Sequence, residues 1–124
     1  MIKYLFIGLG GALGAVSRVA LSRFLPSFIF SIPSTILCIN VLGCFVLGMI
    51  TEIMAMHWNA SINTRHFLIQ GLLGGFTTFS AFSMEFGVLY KEGFHALALI
   101  YAFTSVFVSL LFFFCGLKII RFVF

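Results

Sequence analysis

The sequence predicts an all-α integral membrane protein, one transmembrane domain over residues 1–124 with four spanning helices, the third broken at mid-membrane. Three observations carry this. The chain is 62% hydrophobic and only 8% charged, whereas a soluble domain carries roughly a quarter charged residues. It has too little polar surface to cover a water-soluble globule. Each spanning helix needs about 20 residues, so four take about 80 of the 124 and leave only short connections. Finally, GLLGGFTTFSAFSMEFG at 71–87 sets paired glycines and four hydroxyl residues where a span ordinarily carries aliphatic side chains.

The first helix is expected over about 2–25, ending before Pro26. Lys3 and the apolar run behind it look like a cleavable leader. The apolar pattern resumes past Arg18 with no cleavage-site logic, so the run reads as the first span of the mature protein. Helix two is expected from Pro33, a favoured first-turn residue with Ser31 or Ser34 as cap, to about Met56. HWNASINTRH forms a polar loop, helix three covers about 64–91, KEG is a turn, and helix four runs from about Phe94 to the end. Close backbone approach holds helices together in lipid. Gly10-x-x-x-Gly14, Gly71-x-x-x-Gly75, Gly43 and Gly48 provide it, either within one subunit or between subunits. Cys38, Cys44 and Cys115 read as small buried side chains, and His57, His66 and His95 lack metal-ligand spacing. Asn59-Ala60-Ser61 matches a glycosylation acceptor, a short and common pattern of little weight.

Four spans put both termini on one side. That side carries Lys3, Arg65, Lys118 and Arg121; the other carries Arg18, Arg23 and Lys91. Positive residues normally mark the cytoplasmic side, and four against three is almost no bias. A chain with so little preference inserts both ways, and inverted copies can pair. The expectation is an antiparallel homodimer; the charge count leaves open a heterodimer with an oppositely oriented homologue.

Glycines followed by Phe-Thr-Thr are poor helix material. Non-helical backbone survives at membrane depth only inside protein or beside a wet cavity, where its freed carbonyls can hold a cation. A harmless glycine kink explains the residues equally well. Beyond the break, at about 100° per residue, Phe79, Phe82 and Phe86 fall within about 60°, with Ser83 about 40° from Phe79. Thr78 and Glu85 lie on the other flank of Phe82. Helix four has a second stripe, Tyr101, Ser105 and Ser109, spaced by four. Helix two adds Asn40 at mid-span, and a buried amide in lipid needs partners. Interhelical bonding accounts for each polar residue singly; together they resemble the lining of a narrow path. Donors dominate it and acidic residues are few, which favours a small anion. Arg18 costs about 2.5–3.5 kcal/mol near mid-membrane and is expected to reach toward a vestibule.

GGFTTFSAFS followed by Glu85, with Asn40, Arg18 and the Tyr101/Ser105/Ser109 stripe, resembles the Fluc (CrcB-type) fluoride channels over essentially the whole chain. The resemblance implies an antiparallel, dual-topology homodimer in the cell (inner) membrane, with two pores that export fluoride passively and protect the cell from it. It implies pore-facing rings at Phe79 and Phe82, a fluoride-contacting amide at Asn40, and a polar track of Ser83, Tyr101, Ser105 and Ser109. Arg18 and Glu85 fall at the vestibule. It also implies a structural Na+ on the dimer axis, held by the backbone carbonyls of Gly74 and Thr77 from both subunits. The family commonly has Thr where this chain has Ala81, so one hydroxyl near the pore is missing.

The main alternative is a small four-helix, proton-coupled multidrug exporter. That class needs a carboxylate in its first helix, and helix one here has none. A scaffold subunit would explain the glycines but not the aligned polar stripes. No nucleophile is paired with a base and an orienting group, so no enzyme is expected, and nothing points to nucleic acid.

Overall fold

The computed structural model describes residues 1–124. Helix α1 spans Ile2–Ser22 and ends short of the expected boundary, because the chain turns at Arg23 to enter a hairpin. Strands β1 (Phe28–Ile29) and β2 (Ile32–Pro33) pair antiparallel, Phe28 opposite Pro33. Phe30 and Ser31 at the tip both have positive φ, 52° and 67°, the backbone that two-residue hairpin turns favour. Pro33 therefore belongs to a strand. The Ser34 hydroxyl donates to the Pro26 carbonyl rather than capping a helix, and α2 runs over Thr35–Met56.

Ser61 caps the next helix by accepting the Thr64 N–H, so α3 starts at Ile62 and covers Ile62–Arg65. A π-helical segment, His66–Leu73, continues into α4 (Gly74–Phe76). Helix α5 spans Phe79–Lys91 and α6 spans His95–Val123. Four stretches are long and apolar enough to cross a membrane: Ile2–Ser22, Thr35–Met56, Ile62–Lys91 and His95–Val123.

Two helix pairs form the body: α1 against the π segment and α4, and α2 against α6. Glycines decide how near they come. A methyl carbon on Gly71 would lie 2.8 Å from the Ile7 carbonyl oxygen and 2.9 Å from the Gly10 Cα. One on Gly116 would lie 3.0 Å from the Met49 nitrogen across the α2–α6 seam. Both Gly-x-x-x-Gly faces are thus used for packing within the chain. Most apolar side chains of α1 and α6, such as Leu13, Val16, Phe103 and Phe107, point outward, as suits lipid or a second protein surface.

One charge is buried. Glu52 on α2 is 5% exposed and accepts from Arg121 Nε on α6 at 2.9 Å. The two partners are unequal, because the Arg121 side chain lies mostly in the open. Removing Arg121 strands a buried carboxylate, which costs about 3–5 kcal/mol. Removing the Glu52 charge leaves a solvated guanidinium, a cost nearer the ~1 kcal/mol of an exposed pair. Arg121→Ala is therefore expected to lower the unfolding temperature in detergent well below that of Glu52→Gln. Equal losses would mean that the pair is solvated from both ends.

Candidate functional site

The site is built around two residues that leave the helix. Thr77 (φ −82°, ψ 154°) and Thr78 (φ −151°, ψ 123°) are extended between α4 and α5. Their side chains replace the lost backbone bonds locally. The Thr77 hydroxyl donates to the Leu73 carbonyl at 2.9 Å, and Thr78 Oγ1 caps α5 by accepting the Ala81 N–H at 3.2 Å. Ser80 Oγ lies 3.0 Å from Thr78 Oγ1. The rest of the satisfaction comes from α2. Asn40 Nδ2 donates to the Thr78 carbonyl at 3.0 Å, and the Thr78 N–H donates to Asn40 Oδ1 at 2.8 Å. The amide thus acts as a surrogate strand partner for one peptide unit. Gly43, one turn further along α2, leaves the space in which Thr77 and Phe76 sit.

These bonds have a consequence for neighbouring carbonyls. In an unbroken α-helix the Thr78 N–H would bond the Gly74 carbonyl and the Ala81 N–H would bond that of Thr77. Both donors are diverted, to Asn40 and to Thr78 Oγ1. The Gly74 and Thr77 carbonyls are left without those partners, at the C-terminal, electronegative end of a helical segment.

Beside this feature opens a cleft of about 500 Å³. Asn40 and Cys44 line it from α2, Gly74, Thr77, Thr78, Phe79 and Phe82 from the interrupted segment, and Ser105, Val106, Ser109 and Leu110 from α6. No charged side chain lines it. Asn40 uses one of its two amide N–H groups on Thr78, so the second remains available. The Ser105 hydroxyl is buried and has no hydrogen-bond partner within the chain. Phe79 is 75% exposed and Phe82 only 9%; their ring centroids lie 5.2 Å apart at 47°.

Of the residues singled out from sequence, the fold brings Asn40, Phe79, Phe82, Ser105 and Ser109 to this cleft, with Gly74 and Thr77 at its edge. Tyr101 and Ser83 stand elsewhere. Tyr101 is fully buried behind Phe82, with ring centroids 5.2 Å apart, and its hydroxyl donates to Glu85 Oε2 at 2.5 Å. Glu85 is thereby tied to α6. Ser83 is exposed on α5, and Arg18 lies part-buried on α1 away from the cleft. Ala81 lies outside the lining, and its N–H serves the cap of α5. Thr78, placed from sequence on a flank of Phe82, belongs to the lining, and so does Cys44, to which sequence reasoning gave no role there. A signal existed for Cys44, since it follows Asn40 by one helical turn. What the sequence did not show for Thr78 is its partner, the Asn40 amide 38 residues away.

The sequence matches the family model described as "CrcB-like protein, Camphor Resistance (CrcB)" over residues 5–117. The chain belongs to the CrcB family. Among its relatives, a protein of Rhizobium etli named "Fluoride-specific ion channel FluC" is 42% identical over 98% of both chains. Proteins of the same name from Parabacteroides distasonis and Methylobacillus flagellatus are 41% identical over 94% of this chain and 91% of theirs, and 34% identical over 98% and 96%. This CrcB chain is thus a multi-pass protein of the cell membrane, in a family whose named relatives are ion channels and not enzymes. The CrcB match runs from within α1 through most of α6 and includes every residue of the cleft.

Proposed function

We propose that this CrcB chain is a fluoride-selective channel that exports F- passively and protects the cell from it. The observation that carries the reading is the cleft, where donors from three helices converge with two phenylalanine rings and no charged group. The names of the relatives supply the ion. A small, hard anion must exchange its water shell for other donors. Hydrogen bonds to a charged group contribute about 1.5–3 kcal/mol each, and here they come from the free Asn40 N–H and the Ser105, Ser109 and Thr78 hydroxyls. Ring edges at Phe79 and Phe82 are worth about 0.5–1.5 kcal/mol by analogy with aromatic pairs. They set the width, and the hydroxyls and amide do most of the desolvation. Tyr101 supports Phe82 from behind, Ser83 extends the polar track, and Arg18 and Glu85 serve the vestibules.

The working unit in this reading is an antiparallel, dual-topology homodimer with two pores, the third span broken at mid-membrane around Thr77 and Thr78. Exposed Phe79 and the open side of the cleft call for a covering surface, which a second copy supplies. The Gly74 and Thr77 carbonyls, stripped of their helical donors, suit a hard monovalent cation. In two copies these carbonyls would hold a structural Na+. Its charge would hold the two interrupted segments together.

The test is efflux from liposomes containing the purified chain alone, followed with fluoride- and chloride-selective electrodes. Rapid fluoride loss with chloride retained is the expected result; comparable chloride loss overturns the selectivity. Accessibility tags at the C-terminus should report both sides of the membrane, and a single side would overturn the dual topology.

A further inference from the structure

We propose that the Cys44 thiol faces the ion path within the cleft, and that a small group attached to its sulfur closes that path. The inference rests on reading the cleft as an anion route and adds a modification site to it. Cys44 follows Asn40 by four residues on α2, so the two side chains share one helix face a turn apart. Both line the cleft, whereas the other free thiols, Cys38 and Cys115, do not. From the facing wall α6 contributes Ser105, which is 7% exposed and whose hydroxyl finds no partner within the chain. Buried hydroxyls ordinarily have partners, so an unsatisfied one among the lining residues points to a polar guest in the cleft. On the proposed anion route, the thiol thus shares one lining with the Asn40 amide and the Ser109 hydroxyl.

This makes a chemical distinction among three cysteines that look alike in sequence. Disulfide exchange proceeds through the thiolate and needs a route for the reagent to the sulfur, which the cleft gives to Cys44. With methyl methanethiosulfonate, the Cys44 proton passes to water and its sulfur attacks the methylthio sulfur. A Cys44 S–SCH3 bond forms, the bond to the sulfonyl sulfur breaks, and methanesulfinate leaves with the electron pair. The added methylthio group projects into a path sized for an ion. Cys38 and Cys115 lie outside the cleft lining.

The experiment uses the full chain in liposomes, treated with methyl methanethiosulfonate, with labelled cysteines read by mass spectrometry and fluoride efflux read by electrode. The wild type and a Cys38→Ala/Cys115→Ala variant should both be labelled at Cys44 and lose efflux by roughly tenfold or more, as a narrowed constriction demands. A thiol reductant should restore it. In Cys44→Ala the ratio of treated to untreated efflux should stay at unity. Absence of label at Cys44 overturns the proposal, as does label without loss of efflux. If the untreated protein passes no fluoride, the fluoride reading fails instead. Selective labelling of Cys44 then still supports a wet path at this residue, and its absence overturns that too.

Discussion

Asn40→Asp is expected to abolish fluoride efflux while the subunit still folds. The substitution exchanges the amide nitrogen for an oxygen where α2 meets the extended Thr77 and Thr78. Its Oδ1 continues to accept the Thr78 N–H, but the group facing the Thr78 carbonyl becomes an oxygen. If ionised, it repels that carbonyl and places a negative charge beside the path. Taking ~6 Å to a passing anion and an effective dielectric near 20, the repulsion is about 3 kcal/mol, roughly a hundredfold in occupancy. If it stays protonated, its one O–H serves the Thr78 carbonyl and nothing remains for the ion. Either state loses the free donor. Efflux measured against a matched amount of monodisperse protein checks this. A variant that conducts at the wild-type rate would remove Asn40 from the path and leave it only as the tie between α2 and Thr78.

The second large effect falls on assembly of the subunit. Gly14→Leu is expected to leave little or no folded protein. A methyl carbon there would meet the backbone of Leu72, with the Phe76 nitrogen at 2.8 Å. Backbone cannot turn aside as a side chain does, so α1 must move off the π segment and α4. Overpacking of a fitted interior costs about 1–3 kcal/mol and more where nothing yields; the same shift would carry Thr77 and Thr78 out of register with Asn40. Gly8→Leu on the same helix is the control, because nothing lies within 4 Å of its added carbon. Size-exclusion profiles after detergent extraction distinguish the two. If Gly14→Leu behaves like Gly8→Leu, then α1 is not seated on Gly71 and Gly75 as described.

Much of the molecule was legible in one dimension. The four spans follow from lipid, which solvates no backbone, so each crossing needs a long apolar helix. The glycine spacings were legible as close-approach faces for the same reason, although only the packing showed that both are consumed inside the subunit. The stripe on α6 was half legible. Tyr101, Ser105 and Ser109 do share a helix face, but only Ser105 and Ser109 line the cleft; Tyr101 bonds Glu85. Helical phase says which residues share a side, not what stands opposite them. The hairpin before α2 was not legible, since Phe30 and Ser31 are not the residues that turn chemistry favours at positive φ.

By itself, then, the sequence determined a four-span membrane chain and the family to which it belongs, and it marked the stretch at Thr77 and Thr78 as either a kink or a break. What the tertiary structure alone decided is how that irregular backbone is satisfied and what gathers beside it. Asn40 reaches Thr78 across 38 residues, Ser105 arrives with its hydroxyl unclaimed, and Cys44 enters the lining while two similar cysteines do not. The reason is physical. Lipid imposes its demand on each span separately, so span length and polarity are written locally. A hydrogen bond between spans depends on the rotation and depth of two helices at once, and those are set by the glycine seams that bring the helices together.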